Sequence, residues 1–436
     1  MERKFKENKM SILEKDKKYI WHPLTQHKKK QEILPIKKAK GVFLYDENDK
    51  SYVDGISSWY TAVYGHCNDF IINAVKTQME TLDQVVFTGF THEPATKLAE
   101  ALMEILPEGQ QKVFFNDNGS TSTEIGIKMA LQYHYNLGKD RKTMLAFEEG
   151  FHGDTFGAMS VSGLSVYNGA FEDHFIKVKR IPVPNGKNTD EILQKIKDIH
   201  KETPLAGFIY EPLVQGAAAM KMHDKKDLHQ ILSLCKSLDI VLIADEVMTG
   251  FGKTGSYFAS DFMETKPDVM CLSKALTAGL LPMGATTCSQ KIYDAFYDDE
   301  IAKGLFHGHT YTANPLACTT ALAAIQLLTS KTIQENIEKV IKSHNAFGLH
   351  IKTHAKVKSV RQQGVIFAFE LDVEFSRYGN MRDKIYQFFM NEGVYLRPLG
   401  NTIYILAPYI IEEKELLKIY NSIEKLLNSD LLNRSD

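Results

Sequence analysis

The chain has 436 residues, 44% of them hydrophobic, enough to bury one large domain and a smaller one without disulfide or metal staples. Its 52 basic residues stand against 54 acidic ones, and a formal charge of −2 gives no overall electrostatic reason to expect nucleic acid or an anionic membrane as partner. Five cysteines (Cys67, Cys235, Cys271, Cys288, Cys318), odd in number and without a CxxC pair, argue against a disulfide framework or a zinc site and fit a reducing cytoplasm with no bound metal.

The N-terminal twenty residues lack the apolar stretch of a signal peptide, and no run of about 18 apolar residues occurs anywhere. "GVFLYDENDKSYVDG" (41–55) predicts a hairpin turning at Asn48-Asp49. Short apolar runs at 112–116, 143–147, 205–211, 240–247 and 268–273 predict buried parallel strands. Between them, helical spacing at 122–137 (Ile125, Met129, Tyr133, Leu137) and at 225–238 predicts covering helices, which together make an α/β chain. After residue 330 the texture changes to a helix (332–355), a strand (364–371), a helix (382–391) and a strand (402–408). The division expected is therefore 1–64 as the N-terminal segment of a small domain, 65–330 as the large domain and 331–436 as the remainder of the small one.

Chemistry-bearing residues gather at the ends of these runs. "FFNDNGSTSTEIGIKMA" leads through Asn118-Gly119-Ser120 into a helix, a geometry that suits an anion or an ordinary N-cap. "GFHGDTFGAMSVSG" places Phe151, His152 and Asp154 after another strand, where Phe151 either stacks on a flat ligand or belongs to the core. "VLIADEVMTGFG" leaves Asp245 and Glu246 at the end of a very apolar strand, where ligands collect in open α/β sheets. "DVMCLSKALTAGLLPMGA" ends an apolar run at Lys274, which is a satisfied structural residue, a phosphate ligand or a nucleophile kept partly neutral. "GHTYTANPLAC" sets Thr310 and Thr312 before a further helix. The Gly-Lys-Thr of "GFGKTG" is not a P-loop, because Val247 stands where the first glycine is required, and no GxGxxG follows a strand. One ligand accounts for an acid at a strand end, a lysine, a glycine-serine helix start and an aromatic face, and that ligand is pyridoxal phosphate.

The segments "DNGSTSTEIGIKMA", "FHGDTFGAMSVSG", "EPLVQGA", "ADEVMTGFGKTG", "LSKALTAGLLPMGA" and "HGHTYTANPLAC" resemble the class III (fold-type I) pyridoxal-phosphate-dependent aminotransferases, over residues 20 to 410. Within that class, "WHPLTQ" (21–26), "DGISSWYTAVYGH" (54–66), "HGDTFGAMSV" (152–161) and "LRPLGNTIYILAPY" (396–409) resemble the branch of biotin synthesis. Its members aminate 8-amino-7-oxononanoate, usually from S-adenosylmethionine. The resemblance implies a large domain with a mostly parallel seven-stranded sheet sandwiched by helices, a smaller α+β domain from both termini, small-molecule substrates and a homodimer with shared active sites.

It also implies roles. Lys274 would hold the cofactor covalently and shuttle the proton, Asp245 would pair with the ring nitrogen, and Gly119 with Ser120 would cradle the phosphate. Thr310, beside His309, would reach the phosphate of the neighbouring subunit, and Phe151 would stack on the ring. Trp59 and Tyr60 would wall the substrate pocket, Gly308 would make a backbone contact, and Arg397 would anchor the acceptor's carboxylate. Asp154 and Tyr404 would line the donor side, and Leu24 and Lys253 occupy two further pocket positions. Five of these depart from the family pattern: Leu24 for Tyr, Tyr60 for Trp, Phe151 for Tyr, Lys253 for Arg and His309 for Pro. The donor thus stays open between S-adenosylmethionine and lysine, and another class III ω-amino acid aminotransferase shares every cofactor residue.

Overall fold

The apolar runs of the middle of the chain pair with one another in a single sheet, seen in a computed structural model that describes residues 10–29, 33–165, 168–373 and 379–433. Its strands are β1 (Gln110–Asn116), β2 (Thr143–Phe147), β3 (Val178–Ile181), β4 (Leu205–Tyr210), β5 (Val241–Asp245), β6 (Val269–Leu272) and β7 (Gly284–Ser289), in the order β1-β7-β6-β5-β4-β2-β3. The pairs from β6 through to β3 are parallel. Strands β2, β4, β5 and β6 are buried along their whole length, as a sheet covered by helices on both faces requires.

The reading of 112–116 as one of a set of parallel strands holds for its direction but not for its pairing. β1 hydrogen-bonds to β7, which runs antiparallel to both β1 and β6, so β1 points the same way as β6 with a reversed strand between them. The segment of β7, "GATTCS", has no apolar run to announce it.

Helix α1 (Gly119–Asn136) follows β1 directly. Asn118 caps it by accepting from the Thr121 N–H, and the Thr121 hydroxyl accepts in return from the Asn118 N–H. Its buried face, including Ile125, Gly126 and Met129, lies on the sheet, and Gly126 lets the two approach closely, since a Cβ there would come 3.1 Å from Cys271 Sγ.

The two ends of the chain share a second sheet. The hairpin Phe43–Asp46 and Ser51–Asp54 turns with Asp49 at φ 62, as its sequence predicts, and Ile36–Lys40 pairs beside it. Val394–Tyr395 then adds a parallel strand, with Val394 opposite Val53 and Tyr395 opposite Asp54. A third sheet joins Val357–Gln363, Ile366–Leu371 and Thr402–Ile405, flanked by helices Lys331–Ile351 and Glu413–Leu427. The predicted strand 364–371 begins later because Gly364, at φ 60, forms the turn, where a Cβ would meet the Thr254 carbonyl carbon at 2.2 Å. Among the described residues no single helix is long and apolar enough to cross a membrane.

Candidate active site

The parallel strands deliver their loops to one edge of the sheet, and there the polar residues collect. β5 ends at Asp245, and β6 ends at Leu272, two residues before Lys274. Lys274 has φ 51, a left-handed conformation unusual outside glycine. Burial lowers its pKa below the ordinary lysine range, while the negative charges of Asp245 and Glu211 pull the other way. Its Nζ lies 5.7 Å from the centre of the Tyr60 ring. A desolvated lysine that sheds its proton more readily is a nucleophile and a base.

Asp245 is buried, with Oδ2 2.7 Å from His152 Nδ1 and Oδ1 accepting the Val247 N–H at 3.1 Å. The other ring nitrogen of His152, Nε2, is buried without a hydrogen-bond partner. Glu211, next after β4, accepts the Phe151 N–H at 3.1 Å and the Gly216 N–H at 2.9 Å. Burial pushes its carboxyl up to about 7, against the pull of His152, and the charge of Asp245 adds to the rise. Assigning roles from sequence left out both His152 and Glu211. Glu211 follows a wholly buried strand, as Asp245 ends one, so the strand-end rule reaches it; the contact of His152 with Asp245 spans 93 residues and has no local signal.

The start of α1 has the geometry to hold an anion. A helix's first turn leaves its N–H groups without intrahelical partners, and its dipole favours negative charge there. Ser120 Oγ accepts the Asp154 N–H at 3.2 Å, which ties the 151–154 loop to the helix start. Two glycines permit the close approach: a Cβ on Gly119 would come 2.8 Å from Val247 Cγ1, and one on Gly153, at φ 129, would come 2.2 Å from Ser120 Oγ. Phe151 keeps 43% of its surface exposed. A helix start for a phosphate, a buried carboxylate for a protonated ring nitrogen, an open aromatic face and a desolvated lysine fit pyridoxal phosphate. Bound there, the cofactor supplies an electron-accepting ring that stabilises negative charge developing at a substrate's Cα.

The residues expected to wall the substrate pocket lie just beyond strands of the shared sheet, with Tyr404 in the third sheet. Ser57, Ser58, Trp59 and Tyr60 have φ of 49, 44, 69 and 74, a left-handed turn containing no glycine. Such a conformation costs about 1–2 kcal/mol per residue, so its surroundings must impose it. The turn aims Trp59 at Arg397, whose guanidinium carbon lies 5.2 Å from the ring centre. It also aims the Tyr60 hydroxyl at Tyr404, to which it donates at 3.1 Å. Both phenols are buried, and burial raises their pKa. Arg397 itself is exposed, a cation open to a ligand's carboxylate.

The remaining predicted residues are spread more widely. Lys253 is fully buried and donates to the Gly250 carbonyl at 2.9 Å; burial and the charge of Lys274 hold its pKa down to about 7. Leu24 sits in a turn at φ 51 and is 55% exposed. Gly308 and Thr310 are exposed, the Thr310 carbonyl accepting from Gln84 Nε2 at 2.8 Å. His309 Nε2 lies 4.0 Å from Asp117 Oδ1, just ahead of the helix cap.

Residues 24–427 match the family model of the class III aminotransferases. The adenosylmethionine-8-amino-7-oxononanoate aminotransferase of Synechococcus elongatus is 40% identical over 423 residues, covering 94% of this chain and 98% of that one. The enzyme of the same name from Staphylococcus aureus is 36% identical, with coverage of 96% and 98%. The crystal structure of adenosylmethionine-8-amino-7-oxononanoate aminotransferase from Methanocaldococcus jannaschii superposes with a TM-score of 0.90 at 33% identity, covering 95% of this chain and 97% of that one. An omega transaminase from Pseudomonas jessenii in complex with PMP gives 0.89 at 27% identity, with coverage of 97% and 99%. The chain belongs to the class III aminotransferases, enzymes dependent on pyridoxal phosphate.

Proposed function

We propose that this enzyme transfers an amino group from S-adenosylmethionine to 8-amino-7-oxononanoate, giving the 7,8-diamino acid used in biotin synthesis. The observation that carries the reading is the stacking of Arg397 on Trp59 beside the Tyr60–Tyr404 pair, with Tyr60 in turn against Lys274. The acceptor has a carboxylate at the end of an apolar chain, and this row offers a cation at one end, aromatic walls between and the base at the other. Arg397 binds the carboxylate, and Trp59 holds the guanidinium plane in place. Tyr60 and Tyr404 line the chain's path, Lys274 Nζ moves the proton, and Asp245 supplies the fixed negative charge that would hold the cofactor's ring nitrogen protonated. The working unit in this reading is a homodimer, with Thr310 serving the neighbouring subunit's phosphate. Its exposure and that of Gly308 support this, since both are open to a second copy.

Two measurements test the proposal. Candidate donors added singly to the purified holoenzyme should separate the donors: S-adenosylmethionine is expected to bleach the visible absorbance of the bound cofactor, and bleaching by lysine alone would move the donor assignment to lysine. Arg397→Ala is expected to cost roughly 2 kcal/mol in acceptor kcat/KM, about 30-fold, because a charged hydrogen-bond partner is lost at an exposed position. The donor half-reaction should change far less. Equal damage to both half-reactions, or no use of the acceptor by the parent enzyme, would return the chain to a generic class III specificity.

A further inference from the structure

We propose that Asp54 is a positioning residue for the substrate pocket, holding the Ser57–Tyr60 turn in the conformation that sets Trp59 against Arg397 and Tyr60 against Lys274. Asp54 is the last residue of its strand and is completely buried. Its Oδ1 accepts the Ile56 N–H at 3.1 Å. Its Oδ2 accepts the Ser58 N–H at 2.7 Å and the Ser58 hydroxyl at 3.0 Å, and lies 2.8 Å from His66 Nε2. Both oxygens are thereby committed within the protein, three of the four bonds going to the entrance of the left-handed turn. A glycine-free segment has no intrinsic reason to hold four successive residues at positive φ, so the conformation is imposed, and this carboxylate bonds both the N–H and the hydroxyl of Ser58 within it.

The same strand end fixes the opposite wall. Tyr395 is paired with Asp54, and the Gly55 N–H donates to the Tyr395 carbonyl at 3.0 Å. Two residues beyond Tyr395 the chain reaches Arg397. A Cβ on Gly55 would come 2.6 Å from Leu396 Cδ2, so this approach depends on glycine. The Ser57 hydroxyl donates to the Leu406 carbonyl at 2.7 Å, which draws the strand bearing Tyr404 to the same point. Asp54 thus sits where the aromatic wall, the cation and Tyr404 are brought into register, while its own oxygens stay committed elsewhere. The inference rests on the pocket assigned above, but its first measurement needs no substrate.

The chain has two tryptophans, Trp21 and Trp59, so in a Trp21→Phe holoenzyme the fluorescence reports Trp59 alone. Asp54→Asn keeps the shape but sets an amide N–H2 where a carboxylate oxygen accepted, so it cannot keep all of these bonds. In that variant acrylamide quenching of Trp59 is expected to rise about twofold, and acceptor KM about tenfold with kcat changed less than about threefold, as misplaced walls would give. The visible absorbance of bound cofactor should be retained. Adding Ser58→Gly to Asp54→Asn should lower KM again several-fold, because glycine enters the left-handed region without the Cβ penalty. Unchanged quenching and KM, a fall in kcat matching the rise in KM, or no recovery with Ser58→Gly would each overturn the proposal. If Asp54→Asn does not fold, Ser58→Ala, which removes the hydroxyl's bond to Asp54 and its 3.5 Å contact with His66 Nε2, decides: a rise of about threefold in KM together with greater quenching supports the proposal, and no change in either overturns it. Should the parent enzyme not use the acceptor, the functional reading fails separately, and Trp59 quenching still settles the role of Asp54.

Discussion

Lys274→Ala is expected to give a folded protein whose multiple-turnover rate falls by about 10⁴ or more, since covalent attachment and the proton-transfer base are lost together. Stability should not suffer: the side chain removed is a desolvated ammonium, and its loss relieves the like charge that presses on Lys253. Circular dichroism and thermal melting would establish the fold, and a steady-state assay with excess donor the rate. Near-normal multiple turnover in this variant would show that another residue carries the chemistry.

Asp245→Asn should have the second largest effect. The carboxylate has two oxygens, one at His152 and one accepting from Val247, whereas an amide has one oxygen and an N–H2. The substitution therefore removes the fixed charge and also leaves one of two buried groups poorly paired, which costs about 1–3 kcal/mol of stability. The donor half-reaction, followed as loss of visible absorbance in a single turnover, should slow by on the order of 10² because the charge that would keep the cofactor's ring nitrogen protonated is gone. The protein should also hold its cofactor more weakly in equilibrium dialysis. An unchanged half-reaction would confine Asp245 to orienting His152.

Much of the frame was legible because buried parallel strands are written as apolar runs. Residues 143–147 form β2 with the predicted bounds, and β4, β5 and β6 lie inside their predicted runs. β7 escaped because its buried threonines satisfy themselves locally in space: Thr287 donates to Gln110 Oε1 and Thr286 to the Ser122 carbonyl. Polar residues with such partners sit in a core without leaving a hydrophobic pattern. At the site, Lys274, Asp245 and the Gly119-Ser120 helix start could be located from strand ends and turn chemistry. The conformation of Ser57–Tyr60 could not, because no glycine marks it and the local bonds from Asp54 act together with a contact made far along the chain, that of the Ser57 hydroxyl with the Leu406 carbonyl. The contact of His152 with Asp245 was hidden for the same reason.

That long reach sets an order of assembly. The seven-stranded sheet closes entirely within residues 110–289, so the platform bearing Lys274, Asp245 and the start of α1 has every strand it needs once two thirds of the chain exists. The turn after Asp54 waits for its partners, since the Ser57 hydroxyl finds its acceptor 349 residues later. At a synthesis rate of about 5–20 residues per second, that interval is roughly 20–70 s. During a round of translation the strands under the lysine are thus completed first and the pocket proposed for the acceptor last. A chain cut short before residue 394 would keep the strands of the catalytic sheet while lacking the strand that leads to Arg397.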